Sequence, residues 1–289
     1  MCKRARGKLG KQMQADEYIT EIESLSDVKT SHCGGGEMVW HVWGEGEPLI
    51  LFHGGFGSWM HWIKNIEFLA RHFQVWCPDI PCHGDSSVAP EPHDASNISK
   101  IISDGIDQVL PNFEKLRMCG FSFGGIMAGN TAVWQGERVH KLLIVGSNGL
   151  DCRKGPVSGL QDWRKSNTTK ERLACHQRNL EIIMFGNPQN VDDLAIYLQD
   201  RNTRRSRMKS RHIASTPALL NALPKLKGSL FGIWGEKDVY AKDFMDERRK
   251  VFERIQPGCE FEVIPEAGHW VPYEAATQFN LLALEMLRD

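Results

Sequence analysis

The sequence predicts an α/β protein, with a mostly parallel sheet, helices on both faces and an inserted helical cap. Three observations carry this. From Pro48 to about Gly149 short apolar runs alternate with amphipathic segments, the pattern of strands buried on both faces and joined by crossover helices. Between 150 and 224 the alternation stops, and polar loops and helical patterns replace it. At Gly228 it resumes. The expected organisation is a basic tail over 1–17, a core formed by 18–149 and 225–289, and a cap over 150–224.

Each element has its own signal. Lys3, Arg4, Arg6, Lys8 and Lys11 have few apolar neighbours, as in a frayed tail. Tyr18–Leu25 and Glu37–Trp43 read as an opening antiparallel pair. Pro48–Phe52 is a continuous apolar run ending in the glycine loop His53–Trp59, and Trp62, Ile66, Leu69 and Phe73 then recur at helical spacing over Trp59–His72. A strand over Gln74–Asp79, a helix over Ile98–Phe113 and a strand ending at Phe121 follow. Ile126, Met127, Ala128, Ala132, Val133 and Trp134 give the next helix an apolar side, and Val139–Val145 reads as the next strand. The insertion carries helical patterns over Leu173–Phe185 and Val191–Arg211. The core closes with a strand over Gly228–Gly235, a helix over Lys242–Ile255, a strand over Phe261–Pro265 and a helix over Glu274–Arg288.

Composition narrows the function classes. With 35 basic and 36 acidic residues, the chain has no overall charge bias toward nucleic acid or an anionic membrane. No segment approaches the ~20 apolar residues of a membrane span. The expectation is a cytoplasmic protein, monomer or homodimer, acting on a small molecule. Cys2, Cys33, Cys77, Cys82, Cys119, Cys152, Cys175 and Cys259 contain no C-x-x-C pair, so neither a disulfide framework nor a zinc knuckle is indicated. Cys77 and Cys119 lie in apolar runs and read as small core residues. No metal or cofactor is expected.

The chemistry centres on Gly120-Phe121-Ser122-Phe123-Gly124, a serine between an apolar strand and a helix. A G-x-S-x-G serine there sits on a tight, strained turn that lifts its hydroxyl clear of the sheet. An ordinary serine hydroxyl is a weak nucleophile, so it needs a histidine base and an acid to orient that base. Asp238 and His269 follow the last two strands, in the order Ser, Asp, His and each at a strand end. His53 competes as the base and Glu236 as the acid; a structural hydrogen bond at the glycine loop is the favoured reading of His53. For the oxyanion of acyl transfer the donors would be the N–H of Phe123 and that of Gly55, with Phe56 the neighbouring candidate.

These residues resemble the α/β-hydrolase superfamily with a helical cap, over about residues 40–289. Asp79-Ile80-Pro81-Cys82-His83-Gly84-Asp85-Ser86 resembles its D-x-P-G-x-G-x-S segment, with Cys82 in place of a glycine. Within the superfamily Leu180–Phe185, Leu194–Arg201 and Gly268-His269-Trp270 resemble the meta-cleavage-product hydrolases, serine enzymes that cut carbon–carbon bonds. By position, the resemblance implies that Arg201 is the cap arginine of that family and Trp270 its tryptophan beside the histidine, a candidate pocket residue. In the basic run Arg201, Arg204, Arg205, Arg207, Lys209, Arg211 most side chains read as a solvated helix face, and one arginine turned inward, with Arg201 the choice, could bind a substrate carboxylate. Phe121 stands where those enzymes carry asparagine, and the His53–Trp59 loop lacks their G-x-G-P-G-A pattern, so the floor of the site is expected to be apolar. Trp59, Trp62, Trp163 and Phe185 are further candidates for a pocket lining. The reading is a serine hydrolase of a small carboxylic ester. Carbon–carbon bond hydrolysis is the alternative, and a non-catalytic ligand-binding protein on the same fold is the third.

Overall fold

The computed structural model describes residues 14–289. Of the expected basic tail, 1–13 lie outside the described residues. In chain order the elements are α1 (14–24), β1 (Asp27–Cys33), β2 (Gly36–Trp43), β3 (Pro48–Phe52), α2 (Ile66–Leu69), β4 (Gln74–Pro78), α3 (Ala95–Val109), β5 (Leu116–Phe121), α4 (Phe123–Gln135) and β6 (Val139–Val145). Then come α5 (Thr169–Ile183), α6 (Asp193–Arg205), α7 (Arg211–Ala214), α8 (Ala218–Ala222), β7 (Ser229–Gly235), α9 (Met245–Ile255), β8 (Phe261–Ile264), α10 (Val271–Glu274) and α11 (Ala276–Leu287).

The strands form one eight-stranded sheet in the order β1-β2-β4-β3-β5-β6-β7-β8. Pairing is antiparallel for β1 with β2 and β2 with β4, and parallel from β4 to β8. Strand residues alternate between two apolar layers, as the two-residue period requires. Ile50, Phe52, Leu142 and Ile144 face one layer; Leu49, Leu51, Leu143 and Val145 face the other. Both layers are covered, which is why these strands read as unbroken apolar runs. Because β3 lies between β4 and β5, chain direction across the sheet reverses there, and a crevice opens at the C-terminal ends of β3 and β5.

Three sequence expectations need correction. Residues 18–24 are helical: Ala15, Ile19 and Ile22 recur at helical spacing, all buried, and the Trp43 indole N–H caps the contact by donating to the Ile22 carbonyl at 2.8 Å. The strand paired with β2 is instead Asp27–Cys33. The helix expected over Trp59–His72 is two short pieces, a 3₁₀ turn at Trp59–Trp62 and α2; between them the Asn65 amide leaves the helical path to bond the Pro272 carbonyl and Asn280, both at 2.8 Å. The helix expected over Val191–Arg211 stops at Arg205, where tertiary bonds win over helix propensity. There the Arg207 N–H donates to the Cys82 carbonyl at 2.8 Å, and Met208 is buried.

From 146 to 228 the described chain contains no strand. Helix α5 starts at a capping box between Thr168 and Glu171, and α6 at the Asp192 cap. The two helices pack on each other around Asp200, which pairs with half-buried Arg172 at 2.6 Å and lies 3.3 Å from the buried His176 ring. This excursion lies over the crevice and supplies one wall of the pocket there.

Candidate active site

Ser122 ends β5 and opens α4 with φ 54° and ψ −117°, a conformation that costs a non-glycine residue on the order of 1–3 kcal/mol. The turn is possible because its flanks are glycine. A Cβ on Gly120 would lie 2.4 Å from the Gly124 carbonyl oxygen, and one on Gly124 would lie 2.2 Å from that of Phe52. Backbone meets backbone at both points, so neither position has room to adjust. The turn is held by the Ser122 N–H donating to the Val145 carbonyl at 2.8 Å and by the Ser147 hydroxyl donating to the Ser122 carbonyl at 2.7 Å.

Asp238 follows β7 and His269 follows β8, and both are buried. The Asp238 Oδ2 lies 2.8 Å from His269 Nδ1, and His269 Nε2 lies 2.9 Å from Ser122 Oγ. A carboxylate only accepts, so Nδ1 carries the imidazole proton and the Nε2 lone pair faces the serine hydroxyl. The other Asp238 oxygen accepts the Tyr240 N–H at 2.9 Å. The ring of Tyr240 stands edge-on to His269 at 5.0 Å, and burial, then Asp238, push its phenol up to about 12. Glu236 is exposed and accepts the Glu266 N–H at 3.0 Å, outside this chain of contacts.

The glycine loop after β3 lies against the elbow. Gly55 faces Phe123, and its turn is closed by the Gly57 N–H on the Gly54 carbonyl at 3.1 Å, a bond that does not use the Gly55 N–H. Phe123 opens α4, so its N–H has no intrahelical acceptor. Phe56 lies beside them at φ 57°. Buried histidines hold this loop from beneath. His61 Nδ1 accepts the Gly54 N–H at 3.1 Å, and His53 Nε2 accepts the Ile80 N–H at 2.9 Å. Both act as neutral acceptors: burial, then His83 and His269, lower His61 to about 3, and burial, then His83 and His61, hold His53 well below 6.5. His53 is thus a structural residue beneath the loop. Cys82 takes φ 70°, so the loop keeps a left-handed shape with a side chain where the resembled segment has glycine.

A cavity of about 520 Å³ opens over Ser122 and His269. Gly55, Phe56 and Phe123 line it from the core; Leu160, Trp163, Leu180, Ile183 and Met184 form an apolar wall from the insertion; Asn148, Gln161, Asn179, Gln199, Thr203, Ser210, Arg211 and Tyr240 form a polar one. Three expected lining residues lie elsewhere. Arg201 points away, 3.7 Å from Asp16 of α1, because α6 turns that face outward while Gln199 and Thr203 face in. Phe121 is buried below the site, 5.2 Å from the His269 ring. Trp270 is buried against Tyr273 at 4.2 Å and donates its indole N–H to the His61 carbonyl. Trp59, Trp62 and Phe185 are likewise core, and of the five aromatic candidates Trp163 alone reaches the cavity.

Asn148, Ser210 and Tyr240 were not read from the sequence, and of the basic run 201–211 it is Arg211, not the expected Arg201, that reaches the cavity. Asn148 follows the end of β6 and Tyr240 follows Asp238 by two positions, so strand-end placement marks both; Ser210 lies in a segment with no local signal. Arg211 has no carboxylate partner among the described residues, whereas Arg164 has Asp162 at 3.9 Å.

Comparison with known proteins agrees with this architecture. The chain is 29% identical over 272 residues to the dihydrolipoyllysine-residue acetyltransferase component of an acetoin cleaving system of Pseudomonas putida, a match covering 88% of this chain and 68% of that one. It is 27% identical over 263 residues to a 2-hydroxy-6-oxo-6-phenylhexa-2,4-dienoate hydrolase of Burkholderia cepacia, covering 85% and 89%. Among solved structures a bacterial membrane phospholipase A superposes with a TM-score of 0.76 at 19% identity, over 99% of this chain and 95% of that one, a likeness of fold. No helix among the described residues is long and apolar enough to cross a membrane. Residues 49–280 match the model of a single family, and on that match the chain belongs to the alpha/beta hydrolase family, hydrolysis being the chemistry its relatives support.

Proposed function

We propose that the protein is a serine hydrolase of small carboxylic esters, with Ser122 the nucleophile, His269 the base and Asp238 the orienting acid. The observation that carries this reading is the unbroken hydrogen-bonded series Asp238–His269–Ser122 opening onto a cavity beside two backbone N–H groups. His269 Nε2 takes the Ser122 proton as Oγ attacks the ester carbonyl. The N–H groups of Phe123 and Gly55 receive the developing oxyanion, assisted by the positive end of α4. Collapse expels the alcohol, which takes its proton from His269. Water, deprotonated by the same nitrogen, then attacks the acyl-enzyme and releases the acid. Asp238 holds the tautomer and stabilises the imidazolium throughout.

The pocket supports a polar substrate. The insertion serves as a cap whose apolar wall around Trp163 takes one end, while Arg211 offers a two-pronged contact to a carboxylate or another anionic group at the other. That role replaces the one expected of Arg201. A second reading, carbon–carbon bond hydrolysis of a dienol diketo-acid, is favoured by similarity to the Burkholderia enzyme. Stoichiometric labelling of Ser122 by a fluorophosphonate, lost in Ser122→Ala, tests the nucleophile; absence of labelling in the folded protein removes the serine-hydrolase reading. Comparing kcat/KM for short p-nitrophenyl esters with that for a ring-fission product then separates the two substrates. Much faster turnover of the ring-fission product would overturn the ester assignment.

A further inference from the structure

A second polar cluster lies behind the glycine loop, away from the cavity. His41 on β2 is 3% exposed, and neither ring nitrogen has a hydrogen-bond partner. A buried imidazole with both nitrogens unpaired costs about 1–3 kcal/mol and calls for something to bind it. The ring is packed between Trp43 at 5.9 Å and Trp59 at 5.3 Å, so it cannot swing out to solvent. Two carboxylates face it, Glu23 from α1 and Asp85 from the loop after β4, and one ligand atom from each of the three residues lies within 4.8 Å of the others.

We propose that Glu23, His41 and Asp85 bind a divalent transition-metal ion of the zinc class. One imidazole nitrogen with two carboxylate oxygens is a borderline donor set, suited to zinc, cobalt or nickel and poor for calcium or magnesium, which take oxygen alone. Ligand bonds of ~2.0–2.2 Å require the three atoms to close to roughly 3.4 Å of one another. His41 is fixed, so the movement falls to Glu23, half-buried, and Asp85, exposed, both carboxylates able to swing inward. Water completes the coordination. Arg205, which meets Asp85 at 2.6 Å from the end of α6, is retained as an outer partner that orients the ligating carboxylate, as such carboxylates commonly require.

The ion would tie three distant stretches together. Asp85 also donates its N–H to Asp79 Oδ2 at 2.8 Å, and Asp79 Oδ1 accepts the Trp59 N–H at 2.9 Å. Filling the site therefore braces α1, β2 and the loop that supports the Gly55 turn, without supplying a group to the reaction. No spacing pattern announces it, because the three ligands come from separate elements.

Zinc titration by calorimetry, with thermal unfolding in parallel, tests this in the full chain. One Zn²⁺ per chain and a raised Tm are expected for the native protein. Glu23→Gln and Asp85→Asn should each weaken the affinity at least tenfold and abolish the Tm rise, while Glu23→Gln leaves p-nitrophenyl ester turnover unchanged in metal-free buffer. Both substitutions lie on accessible carboxylates, so the test does not depend on the folding of a variant at buried His41. Absence of zinc binding to the native chain overturns the proposal. So does binding that is unchanged in both variants, which would place the ion on the free thiols.

Discussion

Asp238→Asn probes the proposed mechanism through one proton. The native carboxylate accepts two N–H groups, His269 Nδ1–H at 2.8 Å and the Tyr240 backbone at 2.9 Å. An amide has one oxygen. The Tyr240 N–H is fixed by the backbone, so the Asn oxygen stays with it and the NH₂ turns to His269. The opposite flip would set donor against donor in a buried site, at about 1–3 kcal/mol. With an NH₂ facing it, Nδ1 becomes the acceptor and the proton moves to Nε2, which lies 2.9 Å from Ser122 Oγ and can then only donate. The same exchange in serine proteases lowers kcat about 10⁴-fold, roughly 5–6 kcal/mol of barrier. The assay is kcat for a short p-nitrophenyl ester at neutral pH, with circular dichroism and Tm confirming the fold. A folded variant that loses less than about tenfold would refute the assignment of His269 as base held by Asp238.

Arg211→Gln should lower kcat/KM about 10–100-fold for an ester carrying a carboxylate, the worth of a charged hydrogen bond of about 1.5–3 kcal/mol, and leave a neutral ester unaffected; equal effects on both would show that the arginine does not recognise charge. Gly124→Ala, whose Cβ would meet the Phe52 and His53 carbonyl oxygens at 2.2 and 2.5 Å, should cost roughly 1–3 kcal/mol or prevent folding. Gly35→Ala, with nothing within 4 Å, is the control, and equal Tm losses for the two would count against the close-approach argument. Acid should unfold the protein early. His61 and His83 have folded values of about 3 and 4 against 6.5 unfolded, and His53 lies well below 6.5, all chiefly through burial. The unfolded chain therefore binds more protons, and stability falls as pH drops through 6.5. Asp79, raised by burial to about 7 from 3.8, binds its proton in the folded state and offsets part of the loss between 7 and 4. At two pH units below 6.5 His61 and His83 each account for roughly 3 kcal/mol, His53 acts in the same direction, and Asp79 returns about as much as one of the first two. Urea midpoints at pH about 7.5 and about 4.5 check this, and equal midpoints would contradict it.

The sequence announces Ser122, Asp238 and His269 because each closes an unbroken apolar strand, and parallel strands must align their C-terminal ends in one row. Once β5, β7 and β8 are recognised, register brings the three loops together with no knowledge of side-chain contacts. Helix phase has no such anchor. In α6 the polar residues Gln199, Arg201, Thr203 and Arg205 are equivalent by composition, and which of them turns inward depends on Asp16 drawing Arg201 outward and Asp85 drawing Arg205 toward the core. The same dependence explains the misread opening segment, where Tyr18, Ile19 and Ile22 are β-prone and their helical phase becomes decisive only with Ala15 and the Trp43 indole in place. Local chain geometry thus carries the proposed reacting groups, and contacts between segments far apart in the chain carry the walls around them. The proposed reaction class is legible from strand ends alone, whereas the proposed substrate contacts at Trp163 and Arg211 belong to residues whose positions only the packed insertion determines.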